Sequence, residues 1–298
     1  MKDTFCPAPE TARTAPGRAA PRQGGAVRVA AFDLDGTLLD SSKNLSPGNR
    51  AALARAAAAG VVIVPATGRF WNGIPDCVRS LPFVRYAITM NGAQVWDAAE
   101  ARSVAKSEIP VALALEAMRF ADGMDAIYDC YRDGKGWMTA SMQARAEEFA
   151  PDEPYLRMIR EMRSPVPDLK ENVAAVGRDV QKLIVWARRG TSSSPLREAF
   201  AARFPGLCFS SSTPNNVEIN LAGTDKGRAL LQLCDHLGID RGGCLAAGDG
   251  LNDLEMVRAA GIGVAMGNAV PEVLAAADWI APSSDDDGVA AALARFVP

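Results

Sequence analysis

VAAFDLDGTLLD, residues 29–40, is an apolar run that stops at two carboxylates, Asp33 and Asp35, one residue apart. Its first half reads as a strand buried on both faces. Paired acids at the mouth of such a strand leave uncompensated negative charge unless a cation joins them. The stretch therefore predicts a strand that feeds a polar site holding something positive.

Outward from there the pattern alternates. SPGNRAALARAAAAG carries Ser46 as a helix N-cap, Pro47 at the first helical position and Gly60 as the stop. VVIVPATGR (61–69) is a second continuous apolar strand, completing a right-handed βαβ unit, and YAITMNGA (86–93) reads as a third strand. The last third repeats the rhythm: a helix from Lys226 to His236, strand CLAAGDG (244–250), helix DLEMVRAAG (253–261), strand IGVAMG (262–267), helix PEVLAAA (271–277), strand DWIAP (278–282) and a last helix after DDDG (285–288). This is an α/β chain with a doubly wound, Rossmann-like parallel sheet. The middle differs: two amphipathic helical patches, a hairpin IYDCYRDGKGWM (127–138) turning at Asp133 and Gly134, and a β-like run VQKLIVWA (180–187). It reads as a separate α+β module inserted between two halves of one sheet. The expected division is a flexible extension at 1–26, a core at 27–107 and 221–298, and an inserted domain at 108–220, with hinges near 108–110 and 219–223.

Composition narrows the function. Of 298 residues, 48% are hydrophobic and 22% charged, which is enough apolar material for a sizeable core. A formal charge of -3 with scattered basic residues gives no footprint for nucleic acid or anionic lipid. Six cysteines, spread singly, lack metal-ligand or disulfide spacing and fit a reduced cytoplasm. The first 26 residues have no apolar run of signal-peptide type, and no stretch approaches the length of a membrane helix. The one histidine, His236, falls in a helical pattern and reads as structural, so histidine chemistry is not expected.

In an open parallel sheet, ligands bind beyond the carboxyl ends of the strands. Polar clusters fall at such ends: Asp33 with Asp35; Thr67, Gly68 and Arg69; and Asp249, Asn252 and Asp253 in AAGDGLNDLEM, while Lys226 opens a helix. Carboxylates, a hydroxyl, a lysine and helix N-termini are the parts of a Mg²⁺-assisted phosphoryl-transfer site. Asp33 is placed to attack phosphorus, and Asp35 to protonate the leaving alkoxide and then activate water. Mg²⁺ on Asp33 and Asp249, with Lys226 beside it, would offset the repulsion between these acids and a phosphate.

The pattern D-x-D-G-T at 33–37, Thr67, Lys226 and G-D-G-x-N-D at 248–253 resembles the haloacid dehalogenase superfamily, with all four motifs in order. ATGR (66–69), NGA (91–93) and GVAMGNA (263–269) resemble its Cof-type branch, subclass IIB. Only 34 positions separate Asp33 from Thr67 but 159 separate Thr67 from Lys226, which puts the cap in the second (C2) position. The resemblance implies that Thr67, Gly68 and Lys226 hold the phosphate with Asn252 near it. It also implies that Asp249 and the Asp35 carbonyl bind the metal, and that Asp253 supports Lys226 or metal-bound water. Arg69 and Asn91 in the Cof-type stretches, and Tyr131 and Arg132 in the hairpin, are candidate substrate contacts; Tyr128, Lys135 and Trp137 share that hairpin and fit packing equally well. Asp225, an extra acid before the lysine, is expected to face solvent.

The implied activity is Mg²⁺-dependent hydrolysis of small phosphate monoesters, such as sugar phosphates, FMN or pyridoxal phosphate, by a cytoplasmic monomer or small homo-oligomer. A sugar phosphomutase and a non-catalytic binding module are the alternatives. Asp35 argues against a long-lived phosphoenzyme of the ion-pump kind. GIGVAMG has the wrong spacing for a dinucleotide loop, and SSDDDG (283–288) lacks the spacing and distal Glu of a calcium loop, so Asp287 is expected to cap the final helix.

Overall fold

The computed structural model describes residues 26–297. Its strands are β1 (Val29–Phe32), β2 (Val62–Pro65), β3 (Tyr86–Thr89), β4 (Gln94–Asp97), β5 (Arg102–Lys106), β6 (Ala126–Arg132), β7 (Lys135–Thr139), β8 (Arg163–Val166), β9 (Lys182–Ala187), β10 (Leu207–Ser210), β11 (Asn216–Leu221), β12 (Cys244–Gly248), β13 (Ile262–Ala265) and β14 (Trp279–Ile280). Residues 1–25 of the expected extension lie outside the described residues.

The core is a parallel sheet in the order β14-β13-β12-β1-β2. All four residues of β1 are fully buried because successive side chains enter two different helical layers. Ala30 and Phe32 pack with Leu245, Ala247 and the helices Pro47–Ala58 and Gly288–Phe296. Val29 and Ala31 pack with Cys244, Ala246 and the helices Lys226–Leu237 and Leu254–Ala259. Helices on both faces are the doubly wound arrangement expected from the continuous apolar strands.

The third strand departs from the sequence reading. It stops at Thr89, pairs antiparallel with β4 and meets the edge of the parallel sheet through a single bridge between Ala66 and Ile88. The next residues, Met90, Asn91 and Gly92, all have positive φ (53°, 58° and 99°). A strand cannot continue through left-handed backbone. At Gly92 the reason for glycine is visible, since a Cβ there would collide with the Asp225 carbonyl.

The cap is a six-stranded sheet in the order β10-β11-β9-β6-β7-β8. Asp133 and Gly134 make the β6–β7 turn with φ of 56° and 69°, as the hairpin pattern required. One face carries Tyr128, Cys130, Leu183 and Val185 against the helices Val111–Asp122, Leu169–Val176 and Ser194–Arg203. The other carries Ile127, Tyr131, Ile184 and Trp186 against Phe70, Met90 and Ala93 of the core and the helix Glu153–Met162. Phe70 meets Tyr131 edge-on at 5.3 Å.

The connections between sheets are shorter than the expected hinges. Ile109 is pinned to Val180 by two backbone bonds (2.7 and 2.9 Å), and residues 219–221 belong to β11, which leaves 107–108 and 222–225. Ser107 and Thr224 tie these two segments through their hydroxyls, 2.6 Å apart. Asp287 sits at the N-cap of the last helix but makes no capping bond with its side chain; it accepts from the Ser46 hydroxyl instead. His236 packs its ring edge-on to Tyr86 at 6.1 Å, a structural role as expected.

Candidate active site

β1 and β12 are neighbours in register, so the residues following each strand emerge side by side. Asp33 follows β1 and Asp249 follows β12. The turn after Asp35 is made by Gly36 at φ 86°, where a Cβ would stand 2.5 Å from Asp249 Oδ2. Thr37 then donates to Asp249 Oδ1 at 2.8 Å. The Asn268 amide, from the GNA stretch, donates to the Gly36 carbonyl at 2.8 Å and braces the same turn.

Lys226 opens its helix with Asp225 as the N-cap: the Asp225 carboxylate accepts from the Arg228 amide at 2.7 Å. That half-buried role corrects the expectation that Asp225 merely faces solvent. The ammonium of Lys226 is fully buried, 2.6 Å from Asp33 Oδ1 and 2.6 Å from Asp253 Oδ1. Burial alone would lower the lysine pKa, but the two carboxylates outweigh it and raise it, so the ammonium stays charged.

Asp33, Asp249 and Asp253 each offer a carboxylate oxygen within 4.8 Å of the others. Burial, reinforced by the Asp253 charge, pushes Asp33 up to about 8 despite Lys226. Burial and Asp253 likewise push Asp249 up to about 6. Carboxylates made this hard to ionise, with oxygen donors only, suit a small hard dication. Asp253 is already occupied, however: Oδ1 takes Lys226, and Oδ2 takes the amides of Asp249 (3.1 Å) and Gly250 (2.9 Å). The pair left to hold a metal is Asp33 and Asp249, with Asp253 as the anchor of the loop and the lysine.

Asp35 stands apart from that group. It receives a two-toothed contact from Arg69 (2.9–3.1 Å) and a second cation from Lys43 at 3.0 Å. Burial would raise its pKa, but Arg69 and then Lys43 hold it below the usual carboxylate range. Thr67 is buried at the end of β2 and accepts from the Arg69 amide at 3.2 Å. Asn252 lies in the turn Leu251–Asp253, half-buried, and makes no side-chain hydrogen bond among the described residues.

The candidate substrate contacts divide. Asn91 is buried and donates to Glu218 at 2.6 Å, and Tyr131 donates no bond to the acids but meets Arg163 at 2.7 Å beside Phe70. Arg132 is not brought to the site. Its neighbour Tyr131 faces the core, and adjacent strand residues face opposite ways. The Arg132 guanidinium therefore lies on the helix-covered face, bonded to Asn172 at 2.8 Å and over the Trp137 ring. Lys43, Thr37, Lys182 and Glu218 went unread in the sequence. Thr37 was legible in DGT; the other three had no local signal.

An acid pair for a dication, a buried lysine and a hydroxyl-bearing loop at adjoining strand ends define an α/β phosphohydrolase. The chain belongs to the haloacid dehalogenase-like hydrolase family, whose sequence model matches residues 30–293. An HMP-PP phosphatase from Serratia proteamaculans is 33% identical over 255 residues, covering 83% of this chain and 86% of its own. The 5-amino-6-(5-phospho-D-ribitylamino)uracil phosphatase YcsE of Bacillus subtilis is 27% identical over 276 residues, covering 91% of this chain and 96% of its own. Among solved structures, the family phosphatase BT1666 of Bacteroides thetaiotaomicron superposes with a TM-score of 0.76 at 26% identity, covering 93% of this chain and 98% of its own. The resemblance to the haloacid dehalogenase superfamily is borne out, and the enzyme is a phosphatase acting on phosphoric monoesters. No helix among the described residues is long and apolar enough to cross a membrane.

Proposed function

We propose that this enzyme hydrolyses small phosphorylated metabolites through a phosphorylated Asp33, with Mg²⁺ held by Asp33 and Asp249. The observation that carries the reading is the single lysine shared by Asp33 and Asp253. It holds Asp33 Oδ1, which leaves Oδ2 as the attacking atom. Bound Mg²⁺ would supply charge compensation between the carboxylates and the phosphoryl oxygens.

Asp33 Oδ2 attacks phosphorus as the bond to the leaving oxygen breaks, and Asp35 gives that oxygen its proton. Asp35 then takes a proton from water, the water oxygen bonds to phosphorus, and the bond to Asp33 breaks to release phosphate. Its ion pairs with Arg69 and Lys43 favour the ionised form that the second step uses, so the first step requires Arg69 to turn from Asp35 to the substrate and let Asp35 take up its proton. Thr67 and Lys226 position the phosphoryl oxygens, with Gly68 and Asn252 beside them. The cap covers the site and limits water. Arg69 and Asn91, at the cap–core seam, are the reading's substrate contacts, and the cytoplasm is its compartment.

The test is phosphate release with Mg²⁺ and with EDTA, from sugar phosphates, FMN, pyridoxal phosphate, HMP-PP and 5-amino-6-(5-phospho-D-ribitylamino)uracil, beside Asp33→Asn. Metal-dependent release that the variant loses supports the reading. An Asp33→Asn protein of unchanged activity sinks it, and an isomeric sugar phosphate appearing without free phosphate would move it to a mutase.

A further inference from the structure

The loop at residues 67–69 is held by its three carbonyls, and the middle holder comes from the cap. Thr67 O accepts from the Asn91 amide at 3.1 Å, and Arg69 O accepts from the Met90 amide at 3.0 Å. Both donors belong to the left-handed turn of the core. Gly68 O accepts from Lys182 Nζ at 3.0 Å, on β9 of the cap. The ammonium is buried, 2.6 Å from Glu218 of β11 and 5.4 Å from the Tyr131 ring centre. Glu218 also accepts from Asn91 of the core (2.6 Å) and Ser212 of the cap (2.7 Å). The ion pair thus reaches the core at two points and belongs to neither acid cluster.

The carbonyl of Gly68 and the amide of Arg69 are the two ends of one rigid peptide unit. At the far end, the Arg69 amide donates to Thr67 Oγ1 at 3.2 Å. A hydroxyl that accepts one bond has its own proton free to point elsewhere. The Arg69 amide occupies one lone pair of Thr67 Oγ1, which leaves the hydroxyl proton available to an incoming phosphoryl oxygen.

Building on the phosphatase reading, we propose that Lys182, kept charged by Glu218, is a positioning residue: it orients the Gly68–Arg69 peptide so that Thr67 presents its proton to the phosphoryl group only when the cap is docked. Cap docking is then read at the phosphate through one peptide plane. When the cap lifts, Thr67 O and Arg69 O keep their core donors, while Gly68 O loses its lysine and the peptide is free to turn. Thr67 is disarmed while product leaves, and rearmed when a new substrate is enclosed.

The experiment compares wild type with Lys182→Met/Glu218→Gln, which removes both charges with side chains of similar size and leaves no unpaired ion. Turnover of one monoester and inhibition by orthovanadate, a mimic of the transferring group, are measured with Mg²⁺, beside a thermal melt. A positioning role predicts kcat down by about tenfold or more, KM within about threefold, and a vanadate inhibition constant raised about tenfold. Kcat and vanadate inhibition both within about twofold of wild type in a folded variant overturn it, because a purely structural pair would move only the melt. Should the double variant fail to fold, amide exchange in the wild-type protein decides. Mg²⁺ with vanadate must slow the Arg69 amide far more than those of Met90 and Asn91, and equal slowing overturns the proposal. A wild-type protein without phosphatase activity would fail the underlying reading before any variant is made.

Discussion

Asp33 and Asp253, far apart in sequence, share one buried ammonium: Lys226 Nζ is 2.6 Å from an oxygen of each. One cation holds two acids in a closed space, so removing it strands both. Lys226→Met is expected to abolish turnover and to cost about 3 kcal/mol or more of stability. Chemical denaturation and a turnover assay check both, and a variant as stable as wild type would refute the shared-charge account.

The acid cluster also makes a prediction with pH. Asp33 and Asp249 have native pKa values of about 8 and about 6, above the ordinary 3.8. The native protein therefore binds more protons than the unfolded chain in that window, and metal-free stability falls as pH rises from about 4 to about 8. Mg²⁺ competes with those protons, so the rise in melting temperature on adding Mg²⁺ should be larger at pH 8 than at pH 5. Melts in EDTA and in Mg²⁺ test this, and a metal effect independent of pH contradicts it. Asp33→Asn should flatten the metal-free slope between about pH 6 and 8.

Gly92 links the left-handed turn to the lysine helix. Gly92→Ala combines φ 99° with a methyl driven into the Asp225 carbonyl. The cost is expected to exceed the roughly 1 kcal/mol typical of an unfavourable backbone substitution, and kcat should fall because Asp225 immediately precedes Lys226. A melt and a kinetic assay on the same preparation check it; an unshifted melt would be the contrary result.

Asp225→Ala separates capping from catalysis. Loss of the bond to the Arg228 amide should lower stability by about 1 kcal/mol. Turnover per folded molecule should stay within about twofold, since the Asp225 carboxylate bonds no acid of the site. A tenfold fall in kcat would give Asp225 a role beyond the cap.

Arg132→Met distinguishes the two faces of β6. The variant should leave KM within about twofold for every substrate while lowering the melt, because it loses the Asn172 bond and the Trp137 stack on the helix side. A substrate-dependent rise in KM would return Arg132 to the site.

The core of this enzyme was legible locally. Continuous apolar strands, Ser46 before Pro47, and acids at strand ends are features carried by a few neighbouring residues, and periodicity converts them directly into buried strands and capped helices. The cap was read less fully. Its hairpin and β9 announced themselves, but β8 and β10 have only four residues each, β11 went unread despite its alternating NVEINL, and three of its five helices went unread. Tyr131 and Arg132 are neighbours on one strand, and alternation sends Tyr131 to the core side and Arg132 to the helix side.

What the chain could not declare was the partner of each polar group, because a charge carries no address until sheet register supplies one. Asp35 found Arg69 and Lys43, Asp287 found Ser46, and Cys234 met Cys244, whose sulfurs are 2.8 Å apart as buried free thiols. Lys182 reached Gly68, 114 positions away, only because cap and core close on one another. Hydrophobic pattern sets which face of an element is buried; packing between elements then decides which buried ions meet, since each must find a counter-charge where water is excluded.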